Sequence, residues 1–230
     1  MVNIDDVYQK VLAIANKEQR GYITPQEFNL FANQAQMDIF EQYFYDINQF
    51  NRIPGNHTEY SDMLTLLEEK TSIFKSQVSL NYNGTVFQNP QQQNLYRLGT
   101  VLHRGTELQR VDYAELLQIS KSPLTKPTES YPVYYERADG LVVKPNTITD
   151  KVICTFIKKP AKASWGYSVI GETALYDPSS NKSQDFELHP SEENNLVLKI
   201  LALAGITLQD PGVYQIAAAE DQKNIQQQKS

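Results

Sequence analysis

The way hydrophobic periodicity is distributed along this 230-residue chain constrains its fold most strongly. Near both ends, apolar residues recur every three or four positions, whereas in the middle they alternate with polar residues as in strands. Because the two patterns occupy separate stretches, they predict an α+β fold. We expect a helical bundle built from N- and C-terminal helices with an inserted β-rich region. The expected parts are an N-terminal helical part (1–80), a β-rich insertion (81–185) and C-terminal helices (186–230) that pack on the N-terminal part.

The first two helices have sharp sequence boundaries. A helical stripe of apolar residues runs over 4–19 and is followed by Gly21. Thr24, Pro25 and Glu27 then form a capping box, in which the threonine oxygen accepts from a free backbone N–H and the glutamate reaches back to the cap. The pattern predicts a long second helix that starts at Pro25.

The same stretch, 16–27, matches part of a calcium-loop template, with glycine at its sixth place and glutamate at its twelfth. Two ligand places do not fit, because Asn16 stands at the first and Arg20, a cation, stands at the fifth. The capping box explains Thr24 and Glu27 without a metal. We therefore expect no calcium binding here.

The middle of the chain predicts a short helix capped by Asp112 and a set of strands. The strands with the clearest patterns begin at Leu95 and cover 132–137, 141–144 and 151–158. Cys154 shares one face of the last strand with Val152 and Phe156, so we expect a core residue rather than a nucleophile.

The C-terminal third returns to helical spacing. We expect a helix capped by Ser191 and ended by Gly205, and a final helix that starts at Asp210.

Composition restricts the classes of function. The net charge of −6 argues against a sequence-reading nucleic-acid binder, which normally has a basic face. The sequence has 21 Gln, 16 Asn and 14 Tyr, and such neutral polar and tyrosine side chains suit protein–protein contacts as well as an ordinary polar surface. No apolar run is long enough for a membrane span, so no membrane contact is expected.

Candidate chemical sites are few. The three histidines, His57, His103 and His189, show no metal-ligand spacing, and phosphate-loop and hydrolase motifs are missing. We therefore predict no catalytic, cofactor-binding or metal-binding residues, and no enzyme.

Two short clusters are candidates for contacts with a partner. Lys158 and Lys159, with Lys162, surround Pro160; they fit a solvated strand end or a phosphate contact. The single tryptophan, Trp165, and the nearby Tyr167 fit either the anchor of a loop or a contact with a neighbouring subunit. We take Trp165, Tyr167, Lys158 and Lys159 as candidate interface residues.

The order of several motifs resembles that of a family of virion proteins from tailed bacteriophages, especially the crAss-like podoviruses. The motifs are NKEQRGYITPQEFN (16–29), YPVY (131–134), KPNTI (144–148), IKKP (157–160), WGY (165–167), FELHPSE (186–192), ILALAGI (200–206) and DP (210–211). They span most of the chain and mark turns and the ends of helices and strands rather than catalytic sites.

The resemblance implies a neck or tail ring protein, a subunit of the head-to-tail connector that joins portal to tail and forms part of the DNA conduit. It further implies a virion location after assembly in the host cytoplasm. The implied partners are other copies in a cyclic homo-oligomer, the portal and neighbouring tail or neck proteins, and DNA that passes without sequence-specific binding. The alternative is a virion-associated glycan-binding or hydrolytic module of the tail, which would need a cleft lined by clustered acids and aromatic residues.

Overall fold

The structure is a computed structural model that describes residues 1–17, 23–50, 57–90, 94–171, 173–179 and 181–207. These residues form a mixed α+β fold, as the separated sequence patterns predict. The helices are α1 (Ile4–Lys17), α2 (Pro25–Phe50), α3 (His57–Ser72), α4 (Tyr113–Ile119) and α5 (Glu193–Thr207). The strands are β1 (Lys75–Ser79), β2 (Asn81–Tyr82), β3 (Phe87–Gln88), β4 (Leu95–His103), β5 (Thr106–Glu107), β6 (Gln109–Arg110), β7 (Val133–Arg137), β8 (Gly140–Lys144), β9 (Val152–Lys158), β10 (Tyr167–Ile170) and β11 (Thr173–Tyr176).

The predicted start of α2 is confirmed by its capping geometry. The backbone N–H of Thr24 donates to Glu27 Oε2 at 3.0 Å, and the N–H of Glu27 donates to Thr24 Oγ1 at 3.3 Å. Hydrogen bonds from the Thr24 hydroxyl and then its backbone N–H lower the pKa of the Glu27 carboxyl. Each residue therefore satisfies a donor that the first turn of a helix leaves free.

The C-terminal helix differs from its prediction at both ends. A 3₁₀ turn (Pro190–Glu192) precedes α5, and its cap is His189, whose Nδ1 accepts from the Ser191 N–H at 3.3 Å. The predicted cap at Ser191 is therefore wrong. Gly205 is buried inside α5, which continues to Thr207, because packing outweighs the low helix propensity of one glycine. The final helix predicted from Asp210 lies outside the described residues.

The chain divides into two compact units. Their limits differ from those expected for the β-rich insertion, 81–185. The helical unit comprises Met1–Ile73 and Pro160–Ser230, and the β unit comprises Phe74–Lys159. The β unit thus begins earlier, at the strand β1, and residues 160–185 belong with the helices.

In the helical unit, α5 packs against α1 and α2, and α2 also contacts α3. Its core includes the buried residues Ile4, Val7, Val11, Phe28, Ala32, Ile39, Phe40, Leu188, Leu196 and Ile200. Among the described helices, none combines the length and the hydropathy that a membrane span requires.

The β unit contains two sheets with the strand orders β1-β9-β4-β5 and β2-β3-β8-β7-β6. All pairings are antiparallel except that of β6 with β7. Both sheets contribute to one core, which includes Val101, Tyr134, Val143, Val152, Cys154 and Phe156. Cys154 is fully buried, and burial raises the pKa of its thiol to about 11, so the prediction of a core cysteine is confirmed.

Candidate interaction surface

A two-stranded hairpin, β10–β11, presents apolar side chains to solvent. Tyr167 pairs with Tyr176, and the two strands remain in register to the pair Ile170–Thr173. Val169, Ile170 and Leu175 are 66%, 65% and 48% exposed. Within the described strands, β10 and β11 pair only with each other. Exposed apolar residues grouped on one element are typical of a contact site.

The strand register places these apolar residues on both faces of the hairpin. Directly paired residues share a face and successive residues alternate. Val169 therefore lies on the same face as Tyr167, whereas Ile170 and Leu175 lie on the opposite face. A partner could thus contact either face of the hairpin, or clasp both.

Trp165 anchors the base of this hairpin. Its side chain is only 2% exposed, and its Nε1 donates to Asp5 Oδ1 at 2.9 Å. The indole lies 4.3 Å from the Tyr8 ring of α1, and it stacks on Tyr167 and Tyr176 at 5.8 and 5.7 Å between ring centroids. The tryptophan therefore joins α1 to the first cross-strand pair of the hairpin.

Three amide side chains of α2 hold the extended segment that leads into Trp165. Asn29 accepts from the Trp165 N–H at 2.7 Å and donates to the carbonyl of the same residue at 3.2 Å. Asn33 donates to the carbonyl of Ala163 at 2.7 Å. These bonds replace the ones that a neighbouring strand would otherwise supply to this backbone.

The third amide, Gln36, is 1% exposed and completes the series one turn further along α2. Its Nε2 donates to the Ala161 carbonyl at 2.7 Å, and its Oε1 accepts from the Glu187 N–H at 3.1 Å. The amides follow the helical repeat, and the carbonyls that they bind follow the two-residue repeat of an extended chain. The long helix thus fixes the path of 161–165 along its surface.

The segment that follows β11 is hydrogen-bonded to the hairpin through Asp177. Asp177 accepts from Lys182 Nζ at 2.7 Å, from the Ser179 N–H at 3.2 Å and from Ser168 Oγ at 3.2 Å. The hydrogen bonds from Lys182 and then Ser179 hold the pKa of the Asp177 carboxyl well below its usual range. A Cβ on Gly166 would lie 2.6 Å from the backbone of Lys182, so this close approach requires glycine.

The four residues that the sequence indicates as interface candidates are divided between the two units. Trp165 and Tyr167 belong to the helical unit, where the buried indole is the anchor of its own loop and Tyr167 is half-buried beside it. Lys158 and Lys159 belong to the β unit, at the end of β9. A subunit contact by any of the four stays a prediction.

Sequence reasoning missed the hairpin and the amide series. The signal for the hairpin is Gly171, which has a φ of 56° and lies between runs of β-branched and apolar residues. The signal for the amide series is the spacing of Asn29, Asn33 and Gln36 on one face of a helix. Nothing in a single sequence tells which backbone such a face binds.

The β unit also contains a cleft of about 430 Å³. It is lined by Gly99, Thr100, Val101, Glu107, Leu108, Gln109, Arg110 and Tyr134. Burial, and then the charge of Glu136, raises the pKa of the Tyr134 hydroxyl, which stays protonated at neutral pH. In the part of the chain that the structure describes, no group of three or more His, Cys, Asp and Glu residues could hold a metal ion.

Comparisons of the sequence with models of protein families and with curated proteins find no match.

Proposed function

We propose that this chain is a structural subunit of a ring in the head-to-tail connector of a tailed phage, where it joins portal to tail and forms part of the DNA conduit. Its N- and C-terminal helices form a bundle that carries the β unit as an insertion. It assembles with copies of itself, the portal and neighbouring tail or neck proteins, and acts without a cofactor. The motif resemblance supplies the class of protein.

The hairpin β10–β11 is the observation that carries the proposal. An isolated two-stranded hairpin has marginal stability unless other groups pack on it. Here the base is fixed by Trp165, while Val169 and Ile170 stay about two-thirds exposed. Such a rigid element with an apolar end suits a permanent contact, because little conformational freedom is lost when a partner binds it.

The overall charge of −6 supports the role in a DNA conduit. Acidic groups that face a channel repel the phosphates of DNA, so that the genome passes without binding. The proposal needs acidic groups in the bore, and a bore lined by Lys and Arg would contradict this part of it.

Complementation of a phage that lacks this gene tests the proposal. The wild-type chain should restore infectious tailed particles. The double variant Val169→Ser/Ile170→Ser should instead give DNA-filled heads separated from tails, because the connector contact is lost. Val169→Ile/Ile170→Val is the matched control, since it keeps the apolar surface, and it should restore tailed particles.

Stability measurements separate the role of the hairpin surface from folding. Trp165→Ala removes a buried ring and should lower the free energy of unfolding by about 3–5 kcal/mol. The serine variant changes exposed positions and should stay within about 0.5 kcal/mol of the wild type. If the serine variant folds normally and still yields intact tailed particles, the hairpin is not a connector contact.

A further inference from the structure

Charge is strongly segregated between the two units of the chain. The helical unit has 10 Lys and Arg against 20 Asp and Glu, a net charge of −10. The β unit has 11 Lys and Arg against 7 Asp and Glu, a net charge of +4. Two copies of this chain can therefore attract each other when the helical unit of one faces the β unit of the next.

The basic side of this pair is one face of the sheet β1-β9-β4. Lys75 and Arg97 both pair with Ile157, on its two sides, so the three side chains share a face. Lys75 and Arg97 are exposed, and Ile153, Thr155 and Ile157 of the central strand are half-buried. We call this surface, Lys75, Arg97, Ile153 and Ile157, the basic sheet face.

The predicted interface lysines lie at the same end of this sheet. Lys158 follows Ile157 and pairs with Leu95, and the Lys159 N–H donates to the Asn94 carbonyl at 2.7 Å. Because successive residues of a strand alternate, Lys158 lies on the opposite face from Ile157, and the two lysines add charge to the end of the sheet rather than to the basic sheet face itself. The face itself therefore has an apolar centre beside the cationic end that Lys75 and Arg97 form.

The acidic side is the solvent-exposed ridge of α2. Its members recur at helical spacing, and all are exposed: Leu30, Gln34, Asp38, Glu41 and Tyr45. The two acids are three positions apart and lie side by side, whereas Leu30 and Tyr45 are 71% and 52% exposed. The ridge thus combines two carboxylates with two large apolar side chains over roughly 22 Å of helix.

We propose that the α2 ridge of one copy docks on the basic sheet face of the next copy, with Asp38 and Glu41 opposite Lys75 and Arg97. The proposal deepens the ring assignment and rests on it for its cyclic closure. The occupant is a second copy because each surface complements the other in charge and both have apolar residues to bury. Two different patches meet in this contact, so repetition of it closes into a ring or extends into a filament.

Charge reversal tests the contact by sedimentation of the purified chain at low salt, where screening is weak. The wild type should self-associate and should dissociate as salt is added. Lys75→Glu/Arg97→Glu makes both surfaces acidic, and Asp38→Lys/Glu41→Lys makes both basic. Each variant alone should self-associate at least about tenfold more weakly than the wild type. Mixed together, the two variants should assemble again, because every reversed surface now meets its complement.

Lys121→Glu/Lys126→Glu is the matched control, with the same change of charge at exposed positions of the same unit. It should associate like the wild type, and circular dichroism should show that all variants are folded. A wild type that stays monomeric at low salt, a control as defective as the sheet variant, or a mixture that does not assemble would each overturn the contact. The outcome is independent of the phage assay: the contact can hold in a protein that is not a connector, and a connector ring can form through other surfaces.

Discussion

At the scale of single residues, Glu192 is the buried charge whose environment is best defined. Its side chain is 5% exposed, and it accepts from Lys70 Nζ at 2.6 Å and from Asn195 Nδ2 at 3.1 Å. Burial acts to raise the pKa of the Glu192 carboxyl, but the hydrogen bonds from Lys70 and Asn195, together with the Lys70 charge, hold it below its usual value. The ion pair links α3 to the 3₁₀ turn at the start of α5. Its loss should therefore lower the stability of the helical unit.

Glu192→Gln should lower the free energy of unfolding at neutral pH by about 1–3 kcal/mol, because Lys70 then lacks its charged partner. Because the pKa of Glu192 is lower in the folded than in the unfolded protein, its carboxylate stabilises the fold at any pH above the unfolded pKa of about 4.3. This stabilisation is lost as the pH falls through the folded pKa. Denaturant unfolding of both proteins across this range should therefore show the difference shrinking in acid. Glu193→Gln, at the neighbouring less buried carboxylate, is the control and should have a smaller effect. A difference that grows in acid would contradict the pKa direction.

The capping box makes a second prediction at this scale. Thr24→Ala should lower the free energy of unfolding by about 0.5–2 kcal/mol, since the first turn of α2 loses its side-chain acceptor. Thr24→Ser should keep most of the stability. Millimolar calcium should change neither value, and calorimetric titration should show no saturable heat. A saturable heat that disappears in Glu27→Gln would mean that 16–27 binds the metal after all.

At the scale of elements, the amide series of α2 makes the path of 161–165 testable. Gln36→Met keeps the size of the side chain but leaves the Ala161 carbonyl and the Glu187 N–H without their partner. We expect a loss of about 1–3 kcal/mol for each buried group left unpaired. Gln34→Met, at an exposed position of the same helix, is the matched control and should change stability by less than about 0.5 kcal/mol. Equal effects at the two positions would contradict the role of the amide series.

The sequence predicts the elements whose signals are local. Thr24, Pro25 and Glu27 determine the start of α2 through contacts within four residues, and the alternation around Cys154 identifies β9. Local signals fail where distant groups decide the outcome. Gly205, for example, remains helical because it is buried in the core of its unit. The cap at His189 is a different case, because it belongs to a local 3₁₀ turn at Pro190 that helical periodicity does not indicate.

The candidate surface shows the same limit of prediction. An exposed tryptophan in a flexible loop and a tryptophan buried against a helix have the same sequence context. Only the contacts of Trp165 with Asp5, Tyr8 and Asn29, more than 130 positions away, show that it is the anchor of the hairpin. The indole is therefore buried, whereas the end of the hairpin beyond it is exposed.

In the whole molecule, three features are consistent with the proposed function. The hairpin offers an apolar contact, the α2 ridge and the basic sheet face offer a complementary pair, and the net charge of −6 suits a conduit for DNA. A cyclic ring requires two different patches on every subunit, and in the proposed contact the α2 ridge and the basic sheet face would be those patches. All three can be observed together in the assembled particle.

A reconstruction of the phage particle that encodes this chain tests the claim most directly. We predict that density for the chain forms a closed ring between portal and tail, with the α2 ridge of each copy on the basic sheet face of the next and acidic groups toward the bore. Density for the chain at a fibre tip, as a decoration of the capsid or as packaged cargo would contradict the assignment.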